Sequence, residues 1–207
     1  MLKRILLSVY FYLFSKKRSA LSFLRFKVLH FLIPNLWKVF SKKIIYTVLP
    51  LCKQKTIITG KGIVNIGENC EFGFKMGGFY RNGCIEIQPR YKSAFIKIGN
   101  KVITNNNIFI CAAKYIEIGD NTLIGQNVTL MDFEAHGIHP DKRYQVGEIG
   151  KIIIAKNVWI GNSVTILKNS EIGENTIIAT GAVVAGKFPS NVIIGGVPAK
   201  IIKAIDC

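Results

Sequence analysis

Acidic side chains are scarce, and the first 67 residues have none. The 207 residues hold 12 Asp or Glu against 28 Lys or Arg, and the first acid is Glu68. Residues 1–55 carry twelve Lys or Arg; the remaining 152 residues carry sixteen basic and twelve acidic side chains, so only +4 of the formal +16 is theirs. The basicity belongs to an N-terminal appendage. Histidine is scarcer still, at three: His30, His136 and His139. A zinc site built on three imidazoles needs them together; His30 lies far from the other two in the chain, and no metal is expected. Five cysteines (Cys52, Cys70, Cys84, Cys111, Cys207) make an odd number without C-x-x-C spacing. That excludes a disulfide framework and fits a reduced, cytoplasmic protein that uses cysteine as a small hydrophobe.

Long apolar runs are missing too. No stretch of the appendage free of Lys and Arg reaches the ~18 residues of a spanning helix, the longest being about eleven. Lys3-Arg4 before Ile5–Phe14 imitates a signal peptide, but SKKRS follows where a cleavage site needs small residues. Pro34 and Pro50 divide residues 1–55 into short helices. Basic clusters alternating with Phe, Leu, Tyr and Trp suit an arm lying on an anionic membrane surface, placing the protein peripherally at the inner face of the cytoplasmic membrane. The same helices equally suit packing on the end of the following domain or on a neighbouring subunit. No nucleic-acid-binding fold accompanies the charge, and nucleic acid is not an expected partner.

Residues 154–189 are what the sequence has in abundance. Written in sixes they read IAKNVW, IGNSVT, ILKNSE, IGENTI, IATGAV, VAGKFP. The first place is aliphatic throughout (Ile154, Ile160, Ile166, Ile172, Ile178, Val184). The fifth is small or β-branched (Val158, Val164, Ser170, Thr176, Ala182), with Phe188 the departure. The fourth holds Asn157, Asn169 and Asn175, a residue type that tolerates positive φ at a turn. A period of six matches neither helix nor flat strand. It predicts a solenoid of very short strands with a turn after each.

The hexads resemble those of the hexapeptide-repeat acyltransferases, whose left-handed β-helix has three faces and 18 residues per coil, and within them the polysaccharide and sugar O-acetyltransferases of the maltose and galactoside acetyltransferase-like group. The resemblance covers residues 60–203. It implies an all-β solenoid, a left-handed parallel β-helix of about six coils, preceded by an α-helical N-terminal segment. The divisions expected are 1–55 for the arm, 56–203 for the β-helix and 204–207 for a tail, with a short helix or tail after the Gly195–Ala199 segment. Outside the clean stretch, IGENCE at Ile66 and IGNKVI at Ile98 keep the pattern, with Cys70 at a fifth place; between Gly77 and Phe95 it loses phase. From Ile118 (IGDNTL, IGQNVT) the register returns, and the 36 residues from Ile118 to Ile154 equal two coils in length. Residues 131–153, however, break the pattern and are expected to protrude as a loop.

That loop reads MDFEAHGIHPDKR. On the family pattern His136 aligns with the catalytic base, with Asp132 and Glu134 at two acidic places and His139-Pro140 as a competing match three residues on. A neutral imidazole takes the proton of an attacking hydroxyl at cytoplasmic pH, and Glu134 or Asp132 would orient it and stabilise the imidazolium; both carboxylates serve equally well as turn caps or lysine partners. TNNNIFI resembles a segment in which the second of two asparagines faces the acceptor, which carries over to Asn107 after Asn105; a turn-forming role accounts for Asn107 as well. The resemblance further implies acetyl-CoA as acyl donor, bound between neighbouring β-helices of a homotrimer. NVWIGN, ATGAVV and IIGGVPAKII point to Asn162, Thr180, Ala185 and Gly186, with Trp159 as a groove wall and Lys200 or Lys203 for phosphate. Where the family has V-V-T-K-D-I-P this chain has VVAGKFP, so a hydroxyl is lost and the lysine moves to Lys187. The expected reaction is O-acetylation of a carbohydrate acceptor, in a surface polysaccharide or lipid-linked glycan. Acetylation of serine or a xenobiotic, zinc-dependent hydration and a non-catalytic scaffold are the alternatives; two loop histidines do not supply the ligands of the second of these.

Overall fold

The computed structural model describes residues 20–22 and 24–206. The basic clusters and the apolar run expected within residues 1–19 lie outside them. Three sheets of seven, eight and six strands wrap around one core, and apart from the last strand, consecutive strands pass from sheet to sheet, so each pairs in parallel with one a full coil away. In the regular part a coil runs through Lys151–Ile154 on the first sheet, Trp159–Ile160 on the second and Thr165–Leu167 on the third. It returns to the first at Ser170–Ile172.

The hexad explains this geometry place by place. First-place residues Ile154, Ile160, Ile166, Ile172, Ile178 and Val184 are each at most 2% exposed, as are Val158, Val164, Ser170, Thr176 and Ala182 at the fifth. Register stacks like on like, with Ile118 over Ile154 and Ile154 over Ile172. The core is therefore columns of branched aliphatic side chains, each burial removing about 1.5–3 kcal/mol of apolar exposure. Asn157, Asn169 and Asn175 adopt φ of 57°, 62° and 60°, the left-handed bend that turns one face into the next. At one corner their amides form a chain: Asn157 Nδ2 donates to Asn175 Oδ1 at 2.8 Å, and Asn175 Nδ2 to Asn191 Oδ1 at 2.7 Å. The second place is Gly where coils approach closely. A Cβ on Gly161 would lie 2.7 Å from the Thr180 nitrogen. Cys70, at a fifth place, is buried and its thiol faces the Gly99 carbonyl at 3.1 Å.

Three expectations need correction. Ile118 and Ile154 pair directly, so their 36-residue separation is one coil plus a protruding loop and not two coils. The excess sits between Thr129–Met131 and Lys151–Ile154, which bounds the loop at 132–150. Second, parallel strands begin before residue 56: Ile44–Tyr46 pairs with Ile63–Ile66, and Leu51–Cys52 with Glu71–Phe72. Third, Ala199–Ala204 is neither helix nor tail. It turns back at Val197-Pro198 and pairs antiparallel with Val192–Gly196, as β-branched Ile201-Ile202 after a two-residue connection favours.

Residues 24–40 form a run of short helical segments across the first coil. Phe31 is wholly buried. Asn35, 1% exposed, donates to the carbonyls of Phe31 (2.7 Å) and Thr56 (2.8 Å) and accepts the Ile58 N–H at 2.7 Å. His30 Nδ1 meets the Cys52 carbonyl at 3.0 Å. These bonds satisfy strand-edge backbone groups that would otherwise be buried without partners.

Candidate active site

The loop 132–150 emerges where the third sheet hands over to the first. It is a twisted hairpin, with an antiparallel bridge between Phe133 and Ile149 and backbone bonds joining Glu134 to Glu148 and Gly147, and Gly137 to Gln145. Pro140–Lys142 forms a single 3-10 turn, capped by His139, whose Nδ1 accepts the Asp141 N–H at 3.3 Å. His139 also lies 3.5 Å from the Asp141 carboxylate. Its ring is thus occupied in shaping the loop tip.

His136 is exposed, and its Nδ1 lies 2.6 Å from the Arg143 carbonyl oxygen. A carbonyl only accepts, so Nδ1 carries the proton and the neutral ring keeps its lone pair on Nε2. Neither expected carboxylate orients it. Asp132 is wholly buried and its oxygens accept the N–H groups of Ala113 (2.6 Å), Lys114 (3.0 Å) and Tyr115 (2.7 Å). Burial pushes its pKa above the ordinary value, and the three backbone donors pull the other way. It holds the tight corner between Phe109–Ala112 and Tyr115–Ile118. Glu134 accepts the Glu148 N–H at 3.1 Å and pairs with Lys168 at 3.2 Å. Among the described residues no carboxylate forms an ion pair with His136. Both acidic places serve the loop's anchorage.

A cavity of about 290 Å³ lies beneath the loop, lined by Phe133, Glu134, Leu167, Lys168 and Ala185. Lys168 spans it, bridging Glu134 and Glu148 (2.5 Å). Gly186, at φ 131°, would place a Cβ in open space. A second cavity of about 290 Å³ lies over the second sheet at its turn into the third, where Asn105, Gly125, Trp159, Asn162, Phe74 and Lys53 meet. Trp159 is 55% exposed there, and Asn162 Oδ1 accepts the Gln126 N–H at 2.9 Å. Thr180 stands one coil above Asn162, whose carbonyl accepts the Gly181 N–H.

The expected residues therefore fall into groups that one chain does not unite. Asn107 lies in the turn before strand Phe109–Ala112 and His136 in the loop after strand Thr129–Met131, and these strands are paired and parallel. A four-residue strand spans roughly 13 Å, so the two occupy opposite edges of the sheet. Asn107, at φ 59°, gives its N–H to Gln54 Oε1 and its Nδ2 to Asn127 Oδ1, which are the bonds of a turn residue. Lys187 pairs with Glu171 at 3.2 Å on the first sheet. Lys200 and Lys203 lie exposed on the C-terminal antiparallel strand. Sequence reasoning missed Lys168, Leu167 and Lys53. The first two follow a first-place isoleucine, Ile166, at the corner from which the loop departs, and that position was the available signal. No cluster of three or more metal-ligating side chains occurs among the described residues.

The family model "Bacterial transferase hexapeptide (six repeats)" matches residues 151–186. Over 113 residues the chain is 39% identical to the galactoside O-acetyltransferase of Escherichia coli (strain K12), a match spanning 54% of this chain and 55% of that relative. It is 28% identical over 179 residues to the galactoside O-acetyltransferase of Lactococcus lactis, covering 83% and 81%. A third relative, WbbJ of E. coli, is provisionally named a lipopolysaccharide biosynthesis O-acetyl transferase; it is 29% identical, with 80% and 84% covered. Among solved structures, AntD, an N-acyltransferase from Bacillus cereus in complex with dTDP and coenzyme A, superposes with a TM-score of 0.62 at 20% identity, covering 83% of this chain and 89% of its own. The parallel three-sided coil fits the left-handed β-helix. Residues 151–186 carry the repeat of the bacterial hexapeptide transferases, and the chain spans about half the length of the Escherichia coli galactoside O-acetyltransferase it matches.

Proposed function

We propose that the protein is an O-acetyltransferase that moves the acetyl group of acetyl-CoA to a hydroxyl of a sugar. The observation that carries the reading is the bond from His136 Nδ1 to the Arg143 carbonyl. On the exposed neutral ring it leaves the lone pair on Nε2, the tautomer a general base at this place uses. The acceptor hydroxyl oxygen attacks the thioester carbonyl carbon as its proton passes to Nε2. The tetrahedral adduct expels the CoA thiolate, which takes that proton, and the sugar ester is left. Arg143's carbonyl, not Asp132 or Glu134, orients the ring in this scheme.

The donor would lie between two copies of the chain in a homotrimer of left-handed β-helices of about six coils each. The separation of Trp159 and Asn162, on the second sheet and its turn into the third, from Ala185, beyond the far end of a third-sheet strand, supports this: two walls of a groove then come from two subunits. Thr180 and Gly186 would add backbone contacts, and Lys187, Lys200 or Lys203 would meet phosphates. Lys168 beneath the loop is a further cation within reach of that groove. Asn107 would face the acceptor only across such an interface, at the cost of its bond to Asn127. An acceptor in a surface polysaccharide or lipid-linked glycan, with residues 1–55 holding the enzyme at the inner membrane face, agrees with the one-signed charge of that arm.

The test is acetyl-CoA turnover, read as free thiol, for wild type and His136→Ala against galactosides, amino sugars and lipid-linked glycans. Loss of acceptor-dependent release by ~10²–10⁴ is expected. Equal release would move the base to His139, and no release with any acceptor would return the chain to a non-catalytic role.

A further inference from the structure

The helical run 24–40 has two apolar sides. One, with Phe31, is buried against the first coil; the other leaves Leu29, Ile33 and Leu36 about half exposed, Phe40 75% and Trp37 81% exposed. Ile45 and Val48, on the first strand and in the turn after it, are exposed as well. An exposed apolar patch of this kind marks an interaction surface. What it meets follows from charge. Arg25, Lys42 and Lys43 flank it, and no acid occurs before Glu68. A second copy brought face to face would set Arg25, Lys42 and Lys43 against the same three cations. An anionic lipid surface supplies both an apolar boundary layer for Trp37 and Phe40 and negative charge for the lysines; tryptophan is also the side chain most at home at that depth.

We infer that the N-terminal end face of the β-helix, centred on Ile33, Leu36, Trp37 and Phe40, docks on an anionic membrane. The solenoid would then stand end-on to the bilayer. This deepens the peripheral-membrane reading above by assigning the contact to a folded cap, and it is independent of the acyl-transfer chemistry.

The full chain is mixed with vesicles of phosphatidylcholine alone and with 30% phosphatidylserine, and binding is read by co-sedimentation and by the blue shift of Trp37 in a Trp159→Phe background. Partition onto anionic vesicles is expected. A Trp37→Ser/Phe40→Ser variant should lose at least tenfold in partition while keeping its thermal transition, and 0.5 M salt should weaken binding. Absence of binding, or binding that the double variant leaves intact, would overturn the inference, the latter assigning the contact to residues 1–19. A concentration-dependent oligomer abolished by the double variant would assign the face to a second copy instead. Vesicle binding by a chain that transfers no acetyl group would sink the enzymatic reading and leave this one standing.

Discussion

Replacing Asp132 with alanine tests whether that carboxylate belongs to the fold or to the chemistry. Its side chain is wholly buried and accepts three backbone N–H groups at 2.6, 3.0 and 2.7 Å, and its own carbonyl accepts the Gly150 N–H at 2.7 Å. Each donor left without a partner costs about 1–3 kcal/mol. Relief of the desolvated charge and partial entry of water offset some of that, so Asp132→Ala should lose about 4 kcal/mol at pH 7. For a chain of this size about 2–4 °C accompanies each kcal/mol, which places the fall in Tm at roughly 12 °C. Asp132→Asn keeps one acceptor oxygen and should fall between. Burial raises the folded-state pKa, which fixes the sign of the pH dependence. Stability linked to this group is greatest below the unfolded value of about 3.9 and is lost as pH rises through the higher folded value. The gap between wild type and alanine variant should therefore narrow over that interval. Urea unfolding at a series of pH values measures both. A loss under about 1 kcal/mol at pH 7, or a gap that widens as pH rises, would refute the assignment.

Other substitutions probe other joints. Asn35→Ala removes three buried hydrogen bonds between the helical cap and the first coil and should cost about 2–4 kcal/mol, with amide exchange rising first in residues 44–58. Gly161→Ala drives a Cβ to 2.7 Å from the Thr180 nitrogen and 2.8 Å from the Ile178 carbonyl; a loss above about 2 kcal/mol is expected in chemical denaturation. Glu117 has its pKa lowered by hydrogen bonds from Lys97 and Tyr115. That stability is present above the unfolded value and lost as pH falls through the lowered one, so Glu117→Gln should flatten the acid limb of the stability curve.

The hexads made the coil legible because one residue type per place does one physical job. Aliphatic first places stack, asparagine fourth places bend, and neither depends on remote sequence. Boundaries and insertions were less legible. The interval from Ile118 to Ile154 has the length of two coils, and only the direct pairing of those residues reveals a single coil. The strands at Ile44 and Leu51 carry no hexad signature, since their partners lie about twenty residues ahead in the same irregular region. In the candidate site His136 stood out by rarity and position. Its orienting partner did not, because a backbone carbonyl has no letter in the sequence. Asp132 and Glu134 looked catalytic because acids near a histidine suggest a triad; burial and three amide donors in one case, and Lys168 in the other, are facts of packing alone.

The two end closures have a consequence for self-association. A parallel β-helix presents the same unpaired edges at its first and last coils, so bare ends would be complementary and successive molecules would add axially without limit. Here the first coil is covered by residues 24–40, with Asn35 occupying edge groups at Thr56 and Ile58. The last strand of the second sheet pairs with a strand running the opposite way, and a reversed strand does not template the next parallel coil. The chain is thus a finite segment of what would otherwise be a filament. Deleting Ala199–Ala204 and the helical cap together should convert a discrete protein into a growing fibre.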